Sequence, residues 1–174
     1  FKDSNTPVNN DKKKFFLFVG RLCEAKGVLA LLDAFMEFSK FDDSYSLVIA
    51  GSGEQSYLNK IHETISEFAK KSDIRFVGYS KQVDQYMREA SAIVVPSRFE
   101  GFGLITAEAM INGCLVIGNN TAGTKEQFDN GYAYTGQEIG IRYSGHAELV
   151  ASLKQISSNG IEYYSPVINK ANTT

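Results

Sequence analysis

Cysteine and histidine are scarce in this chain of 174 residues, which contains two of each. Cys23 and Cys114 are too few for a disulfide framework, and no CxxC spacing points to zinc. His62 and His146 stand apart from any aspartate cluster, so we predict no metal site. We interpret both cysteines as packing residues and both histidines as surface residues.

The sequence also lacks an excess of positive charge and any long apolar run. A formal net charge of −2 leaves no electrostatic footprint for non-specific binding to nucleic acid. No run approaches the ~20 apolar residues that span a bilayer. The polar start, FKDSNTPVNNDKKK, has no apolar core of a signal peptide. We therefore expect a cytoplasmic protein without a nucleic-acid partner.

Short apolar runs are abundant, and each of them stops at a glycine or a proline. They lie at residues 15–19, 46–50, 74–77, 92–95 and 115–117. Such runs are typical of strands buried on both faces. Apolar residues spaced by three or four predict helices at residues 28–38, 57–68, 81–90, 104–112 and 145–157. This alternation predicts an α/β fold, with a Rossmann-like parallel sheet and helices on both faces.

Ligands of open α/β sheets bind beyond the carboxyl ends of the strands, so the loops after the strands are the candidates for function. The loop at residues 20–27 carries Arg21 and Lys26 just before a helix. Two cations at that edge would hold a diphosphate, the arginine as a fork and the lysine as a point charge. Two solvated loop cations are the alternative.

A second loop, Gly51-Ser52-Gly53-Glu54-Gln55-Ser56, half-resembles the dinucleotide fingerprint GxGxxG. Its third glycine is replaced by Ser56, and the loop follows the second strand rather than the first. We favour a tight turn, in which the glycines allow close packing, over a phosphate-binding loop.

The loop after the fourth strand carries the strongest chemical signal. Gly101 and Gly103 stand at a strand-to-helix turn, where outward N–H groups and the helix N-terminus together favour an anion. Glu100 at the mouth of this turn would accept hydrogen bonds from sugar hydroxyls, or would be a solvated or capping carboxylate. Glu108 lies eight residues later in an apolar stretch, so we expect it to be buried with a hydroxyl or cation partner. A structural hydrogen bond or an exposed helix face is the alternative.

A further loop, at residues 119–126, is small and polar and precedes a short helical turn. It would either line the same crevice or be an ordinary capped connection.

These pieces occur in an order that resembles the C-terminal, donor-binding domain of retaining glycosyltransferases with the GT-B fold, namely glycosyltransferase family 4. The matching stretches are FVGRLCEAKG (18–27), LVIAGSG (47–53), RFVGY (75–79), VPSRFEGFGLITAEAM (95–110) and AGTKE (122–126). The two glutamates separated by seven residues, combined with the upstream loop of Arg21 and Lys26, make the resemblance specific.

The resemblance implies roles for the matching positions. Arg21 and Lys26 would bind the donor's diphosphate and neutralise the leaving group, and Glu100 would contact hydroxyls of the donor sugar. Glu108 would bind the ribose hydroxyls. Backbone groups would supply the other donor contacts, at Gly20, Gly101, Phe102, Gly103 and Leu104 for phosphate and sugar, and at Val77, Gly78 and Tyr79 for the nucleobase. No cofactor or metal is expected, because the donor is a substrate and the two cations neutralise its diphosphate.

The sequence departs from the family pattern near the fifth strand and in length. Gly113-Cys114-Leu115-Val116 replaces the usual Gly-x-Pro-Val, and Lys125 would add a cation to the crevice. The family pairs two such domains, and the N-terminal, acceptor-binding half has no counterpart here. We expect residues 1–13 to be a linker from that half, residues 14–160 the nucleotide-sugar-binding domain, and residues 161–174 a segment that packs back toward the missing half.

The implied activity is transfer of a hexose from a nucleotide-diphosphate donor to a glycan or lipid-linked acceptor, as in polysaccharide biosynthesis. The full-length protein would then act at the inner face of the membrane, whereas this fragment alone would be inactive. The alternatives are a non-catalytic nucleotide-sugar binding module, a nucleotide-sugar epimerase, or an NAD-dependent enzyme, which the broken fingerprint at residues 51–56 disfavours.

Overall fold

The computed structural model describes residues 12–68 and 73–174, in which strands and helices alternate along the chain. The strands are β1 (Lys13–Val19), β2 (Ser46–Ala50), β3 (Ile74–Gly78), β4 (Ala90–Val95), β5 (Val116–Asn119) and β6 (Ile141–Tyr143). The helices are α1 (Val28–Phe38), α2 (Gln55–Ser66), α3 (Val83–Glu89), α4 (Leu104–Ile111), α5 (Ala122–Thr135), α6 (His146–Asn159) and α7 (Ser165–Thr173).

The six strands form one parallel sheet in the order β3-β2-β1-β4-β5-β6. This confirms the predicted fold class. The strand order reverses between β1 and β4, since the chain first builds outward on one side of β1 and then returns to its other side. Such a switch point leaves a crevice beyond the carboxyl ends of the two central strands.

The core consists of two apolar layers, one on each face of the sheet. Phe16 and Phe18 of β1 join the layer that contains α1, α2 and α6. Phe15 and Leu17 join the opposite layer, with residues of α3, α4 and α5. Because successive side chains of a strand point to opposite faces, the continuous apolar run supplies both layers.

The structure corrects several predicted boundaries. Lys13 already belongs to β1, so the strand begins inside the expected linker, and residues 1–11 of that linker lie outside the described residues. The short helical turn expected after the loop at residues 119–126 is a helix of 14 residues, α5, which begins inside that loop at Ala122. The sequence analysis missed β6, because this edge strand has three residues and carries Arg142 at its centre.

The last segment packs on this domain as a 3₁₀ turn (Ile161–Tyr164) followed by α7. Tyr164 and Ile168 are buried in the core. The amide of Asn172 donates hydrogen bonds to the carbonyls of Met110 and Ile111, at 2.9 and 2.8 Å. Both carbonyls lie at the end of α4, where helix carbonyls lack the usual partner four residues on, so Asn172 ties α7 to the C-terminus of α4. The Met110 carbonyl also accepts the Gly113 N–H at 3.0 Å. The expected path toward a second domain stays a prediction.

Among the helices of the described ranges, none combines the length and the apolar character that crossing a membrane requires.

Candidate functional site

A crevice lies at the switch point, where the loops after β1 and β4 face each other. One part is a cavity of about 240 Å³ between the ends of these strands. Its polar lining consists of Arg21, Lys26, Ser97 and Glu100. A second cavity of about 320 Å³ shares Gly20 and Arg21 with the first and extends along the loops after β2 and β3. The fold thus places Arg21 where the two parts of the crevice meet.

The loop after β1 is held against the end of β4 by close backbone contact. The Arg98 N–H donates to the carbonyl of Ala25 at 3.0 Å. Gly27 adopts a left-handed conformation (φ 71°), and a Cβ there would come within 2.2 Å of the Pro96 carbonyl oxygen. Glycine at this position therefore allows the approach that brings Lys26 beside Glu100.

Lys26 and Glu100 form an ion pair at the mouth of the first cavity. Lys26 Nζ donates to Glu100 Oε2 at 2.8 Å, and the two side chains are 28% and 12% exposed. Two groups separated by 74 residues, each predicted to contact a different part of the donor, therefore touch. A partly buried cation and carboxylate side by side can meet an anionic oxygen and a neighbouring hydroxyl of one ligand.

Arg21 differs from Lys26 in having an unpaired charge. Its side chain is exposed and forms no hydrogen bond or ion pair with any residue of the described ranges. The guanidinium can therefore turn into either cavity and offer its donors to a phosphate.

The turn between β4 and α4 presents backbone rather than side chains. Gly101, Phe102 and Leu104 are exposed, and Phe102 is 87% exposed. Gly103 is the N-cap of α4 with φ 61°. The first N–H groups of a helix have no intrahelical partner. Ile105 of this first turn lines the first cavity, whereas residues 101–104 lie beside it and line neither cavity.

The expectation that Glu108 is buried is wrong, since its side chain is exposed. Leu104, Glu108 and Ile111 share one face of α4, and both apolar neighbours are exposed as well. The opposite face carries the buried residues Thr106, Ala109 and Met110. The apolar stretch misled the prediction because two of its large side chains point to solvent. Glu108 forms no ion pair with another described residue, and it is available to a ligand.

The three residues predicted to contact the nucleobase lie in different surroundings in the structure. Tyr79 is 81% exposed and lines the second cavity with Ser52, Ser80 and Val83. Gly78 closes β3, and its carbonyl accepts a hydrogen bond from Gly51 at 2.8 Å. Val77 packs against the core and lines neither cavity. The two serines were not singled out from sequence, since serine in a loop carries no distinctive signal.

In the half-fingerprint after β2, the space beside the two glycines is occupied by the loop that follows β1. A Cβ on Gly51 would lie 1.8 Å from the Gly20 carbonyl oxygen, and one on Gly53 would lie 2.2 Å from that of Leu22. Leu22 and Gly53 also form a short parallel bridge, and the Leu22 N–H donates to the carbonyl of Ser52 at 2.8 Å. The close-packing interpretation is therefore the one the structure supports.

Lys125 does not add a cation to the crevice, because it lines neither cavity and pairs with Asp129 along α5. Hydrogen bonds from Lys125 and Arg142 lower the pKa of the Asp129 carboxyl. Cys114 is a buried packing residue of the core, and burial raises the pKa of its thiol to about 11, which makes the thiol unreactive. Within residues 12–68 and 73–174, no three metal-ligating side chains come together.

Comparison with known proteins identifies the family to which this chain is similar. The family model described as "Glycosyl transferases group 1" matches residues 1–173. An uncharacterized glycosyltransferase of Methanocaldococcus jannaschii, MJ1178, is 33% identical over 129 residues, which are 71% of this chain and 34% of that protein. The chain thus spans about a third of the length of this relative.

Two solved structures share the fold at lower identity. The Anabaena protein HepE, crystallised with UDP and glucose, superposes with a TM-score of 0.81 at 19% identity, over 93% of this chain and 43% of HepE. The C-terminal domain of LpcC, a glycosyl transferase group 1 family protein from Francisella tularensis, gives a TM-score of 0.75 at 18% identity, over 93% of this chain and 84% of that domain.

Proposed function

This chain belongs to the glycosyl transferases group 1 family, and we propose that it is the nucleotide-sugar-binding domain of a retaining glycosyltransferase of family 4. One observation carries the proposal: Lys26, Glu100 and Arg21 meet at a single cavity beyond the ends of β1 and β4. A nucleotide-diphospho-sugar needs cations for its diphosphate and a carboxylate for its sugar hydroxyls. Both kinds of group are present in adjacent positions.

The diphosphate would bind between Arg21 and Lys26. Arg21 has no partner to give up among the described residues, whereas Lys26 would exchange or share its bond to Glu100. The N–H groups of residues 101–104 would add donors to the terminal phosphate and the sugar. Cations fixed at this position stabilise the charge that develops on the leaving diphosphate, where one such group contributes about 10²–10³ in rate.

Glu100 would accept hydrogen bonds from the sugar hydroxyls, and its carboxylate stays close to the phosphates through Lys26. Glu108 would bind the ribose hydroxyls, which its exposed position permits. The second cavity, lined by Gly20 and Tyr79 among others, would take the nucleobase, and Gly78 would contact it from its position next to Tyr79. Val77 would contribute backbone alone, because its side chain packs inward.

In the reaction, the bond between the anomeric carbon and the distal phosphate breaks while an acceptor hydroxyl oxygen bonds to the same face of that carbon. The hydroxyl proton passes to the departing phosphate oxygen. The configuration is retained because the new bond forms on the face that the phosphate leaves. This chain would supply the donor side of that step, and no metal or cofactor is required by it.

The acceptor would be bound by an N-terminal domain of a longer protein. The match to the isolated C-terminal domain of LpcC supports this placement, as does the span of about a third of MJ1178. We propose a glycan or lipid-linked acceptor, met at the cytoplasmic face of a membrane through that other domain. The fragment alone would bind the donor without completing transfer.

Thermal unfolding with a panel of donors tests the proposal. A ligand present at 100 times its Kd stabilises the folded state by about 2.7 kcal/mol, which raises the Tm of a domain of this size by roughly 5–10 °C. We expect such a rise with one of UDP-, GDP- or ADP-glucose, and UDP-glucose is the first choice because HepE binds UDP.

The nucleosides uridine, guanosine and adenosine are the controls, and they should leave the Tm unchanged at the same concentration. If none of the three sugar nucleotides raises the Tm at millimolar concentration, the donor-domain proposal is wrong. Assays of the full-length protein then separate a transferase from a non-catalytic binding module.

A further inference from the structure

The first turns of α5 pack against the turn that precedes α4. The Gly123 N–H donates to the carbonyl of Glu100 at 3.0 Å. A Cβ on Gly123 would lie 2.4 Å from the Gly101 carbonyl oxygen, so the two backbones are in close contact. The N-terminus of α5 thereby supports the residues that the proposed donor would touch.

Gln127 provides a second contact between α5 and this turn. It lies one helical turn after Gly123, on the same face of α5. Its Nε2 donates to the carbonyl of Phe102 at 2.5 Å. The same amide nitrogen stands 3.0 Å from the place where a Cβ of Gly103 would be, so the side chain covers that glycine.

The turn itself has little else to hold its conformation. The Phe102 side chain is almost fully exposed and packs on little. A Cβ on Gly101 would meet no atom within 4 Å. Glycine on either side of Phe102 leaves the backbone free to rotate. Hydrogen bonds from α5 are therefore the main restraint on these peptide groups.

The bond from Gln127 also sets where the next N–H points. In a trans peptide, the carbonyl of one residue and the N–H of the next point in opposite directions. Since the Phe102 carbonyl faces α5, the Gly103 N–H faces away from α5. A fixed N–H costs no reorganisation when an anion binds to it.

We propose that Gln127 is a positioning residue for the terminal phosphate and the sugar of the donor, acting through the peptide between Phe102 and Gly103. The proposal rests on the proposed function of the site. Gln127 touches no part of the donor itself; it holds the backbone that does.

The test compares two ligands that differ in the terminal phosphate. Gln127→Met keeps the length of the side chain, carries no charge and removes the N–H donor. Loss of one hydrogen bond of this kind corresponds to roughly a fivefold to tenfold change. We expect UDP to bind about that much more weakly by calorimetry, while UMP affinity stays within about twofold, because UMP lacks the terminal phosphate. If the thermal panel selects another base, the pair is GDP with GMP or ADP with AMP.

Gln155→Met is the matched control, because it makes the same substitution at an exposed position of α6. A ligand-free readout comes from amide NMR, in which the resonances of residues 101–104 should move and exchange faster in Gln127→Met and stay in place in Gln155→Met. If Gln127→Met unfolds, Gln127→Ala replaces it, because a shorter side chain removes the donor without overlap.

The outcomes separate the two claims. A wild-type chain that binds no nucleoside diphosphate contradicts the proposed function and the role of Gln127 together. A wild-type chain that binds UDP, with a variant that loses UDP and UMP equally or loses neither, contradicts the role of Gln127 alone. Unchanged amide resonances in residues 101–104 contradict it as well.

Discussion

The glycines after β2 and those after β4 stand at the same edge of one sheet, yet their surroundings are opposite. Gly51 and Gly53 lie against the carbonyls of Gly20 and Leu22, so close that no side chain fits. Gly101 has open space on its Cβ side, and Gly103 meets only Gln127 and a carbonyl of α5. The first pair allows two loops to pack together, whereas in the second Gly101 is exposed and Gly103 is covered by Gln127.

The contrast shows that a glycine-rich loop after a strand has two distinct uses. In the half-fingerprint at residues 51–56, Gly51 and Gly53 permit close contact between the loops after β1 and β2. The broken fingerprint continues to disfavour an NAD-dependent enzyme. At residues 101–103 the space beside Gly101 is open, and Gly101 and Phe102 are exposed. The sequence had already favoured a tight turn at residues 51–56, because Ser56 replaces the third glycine of the fingerprint.

Substitution by alanine should separate the two loops most clearly. Gly51→Ala places a Cβ within 1.8 Å of a backbone oxygen, so strands β1 and β2 must shift. We expect a loss of about 4 kcal/mol or more in the free energy of unfolding, measured by urea denaturation. Gly101→Ala, in open space, should change it by about 0.5 kcal/mol or less. Equal losses in the two variants would contradict the comparison.

The open side of the crevice should show the reverse pattern, with function lost and stability kept. Arg21→Ala removes an exposed cation that has no partner in the described part of the chain. We expect about 10²–10³ less turnover in the full-length enzyme, with a Tm within about 2 °C of wild type. Lys26→Ala should lower turnover as strongly.

Arg75→Ala is the control for both cations, because Arg75 is an exposed arginine of β3 that lines neither cavity. Its turnover should equal that of the wild type. Wild-type turnover in Arg21→Ala and Lys26→Ala would refute the assignment of the diphosphate site.

The smallest effect concerns the ion pair itself. Glu100→Gln releases Lys26 and removes a negative charge near the proposed phosphates. We expect UDP to bind about two- to fivefold more tightly at low salt, with the gain shrinking as salt rises. Calorimetry at two ionic strengths measures this. Turnover should fall nonetheless, since the sugar hydroxyls lose their acceptor.

The Lys13–Glu89 pair provides a matched control at the amino ends of β1 and β4, away from the crevice. Glu89→Gln also breaks a lysine–glutamate bond, of 2.6 Å, and should leave UDP affinity unchanged. If both variants tighten UDP binding equally, the effect comes from net charge and the ion pair has no special position.

Much of the fold follows from local patterns. The apolar runs predicted five of the six strands, because a strand buried on both faces needs a continuous run. Strand β6 escaped, since three residues with a central arginine form no such run. Helix α5 was underestimated because its 14 residues contain two glycines, and its buried residues do not form a clear apolar stripe.

The candidate site was predicted by residue type and by distance from the strand ends, and the structure brings Arg21, Lys26 and Glu100 to one cavity. Glu108 was placed correctly on α4 but with the wrong exposure. Gln127 had no signal in sequence, because it acts through a backbone carbonyl 25 residues away.

The sequence by itself determined the parallel sheet, the loops that carry charge and the glycine turns, since each depends on neighbours along the chain. The tertiary structure alone decided that Lys26 pairs with Glu100, that Gly51 and Gly53 are filled by another loop, and that Gln127 reaches Phe102. Each of these depends on which strands lie side by side, namely β1 beside β4, β1 beside β2, and β4 beside β5. Strand order arises from the packing of distant segments, and no local pattern encodes it.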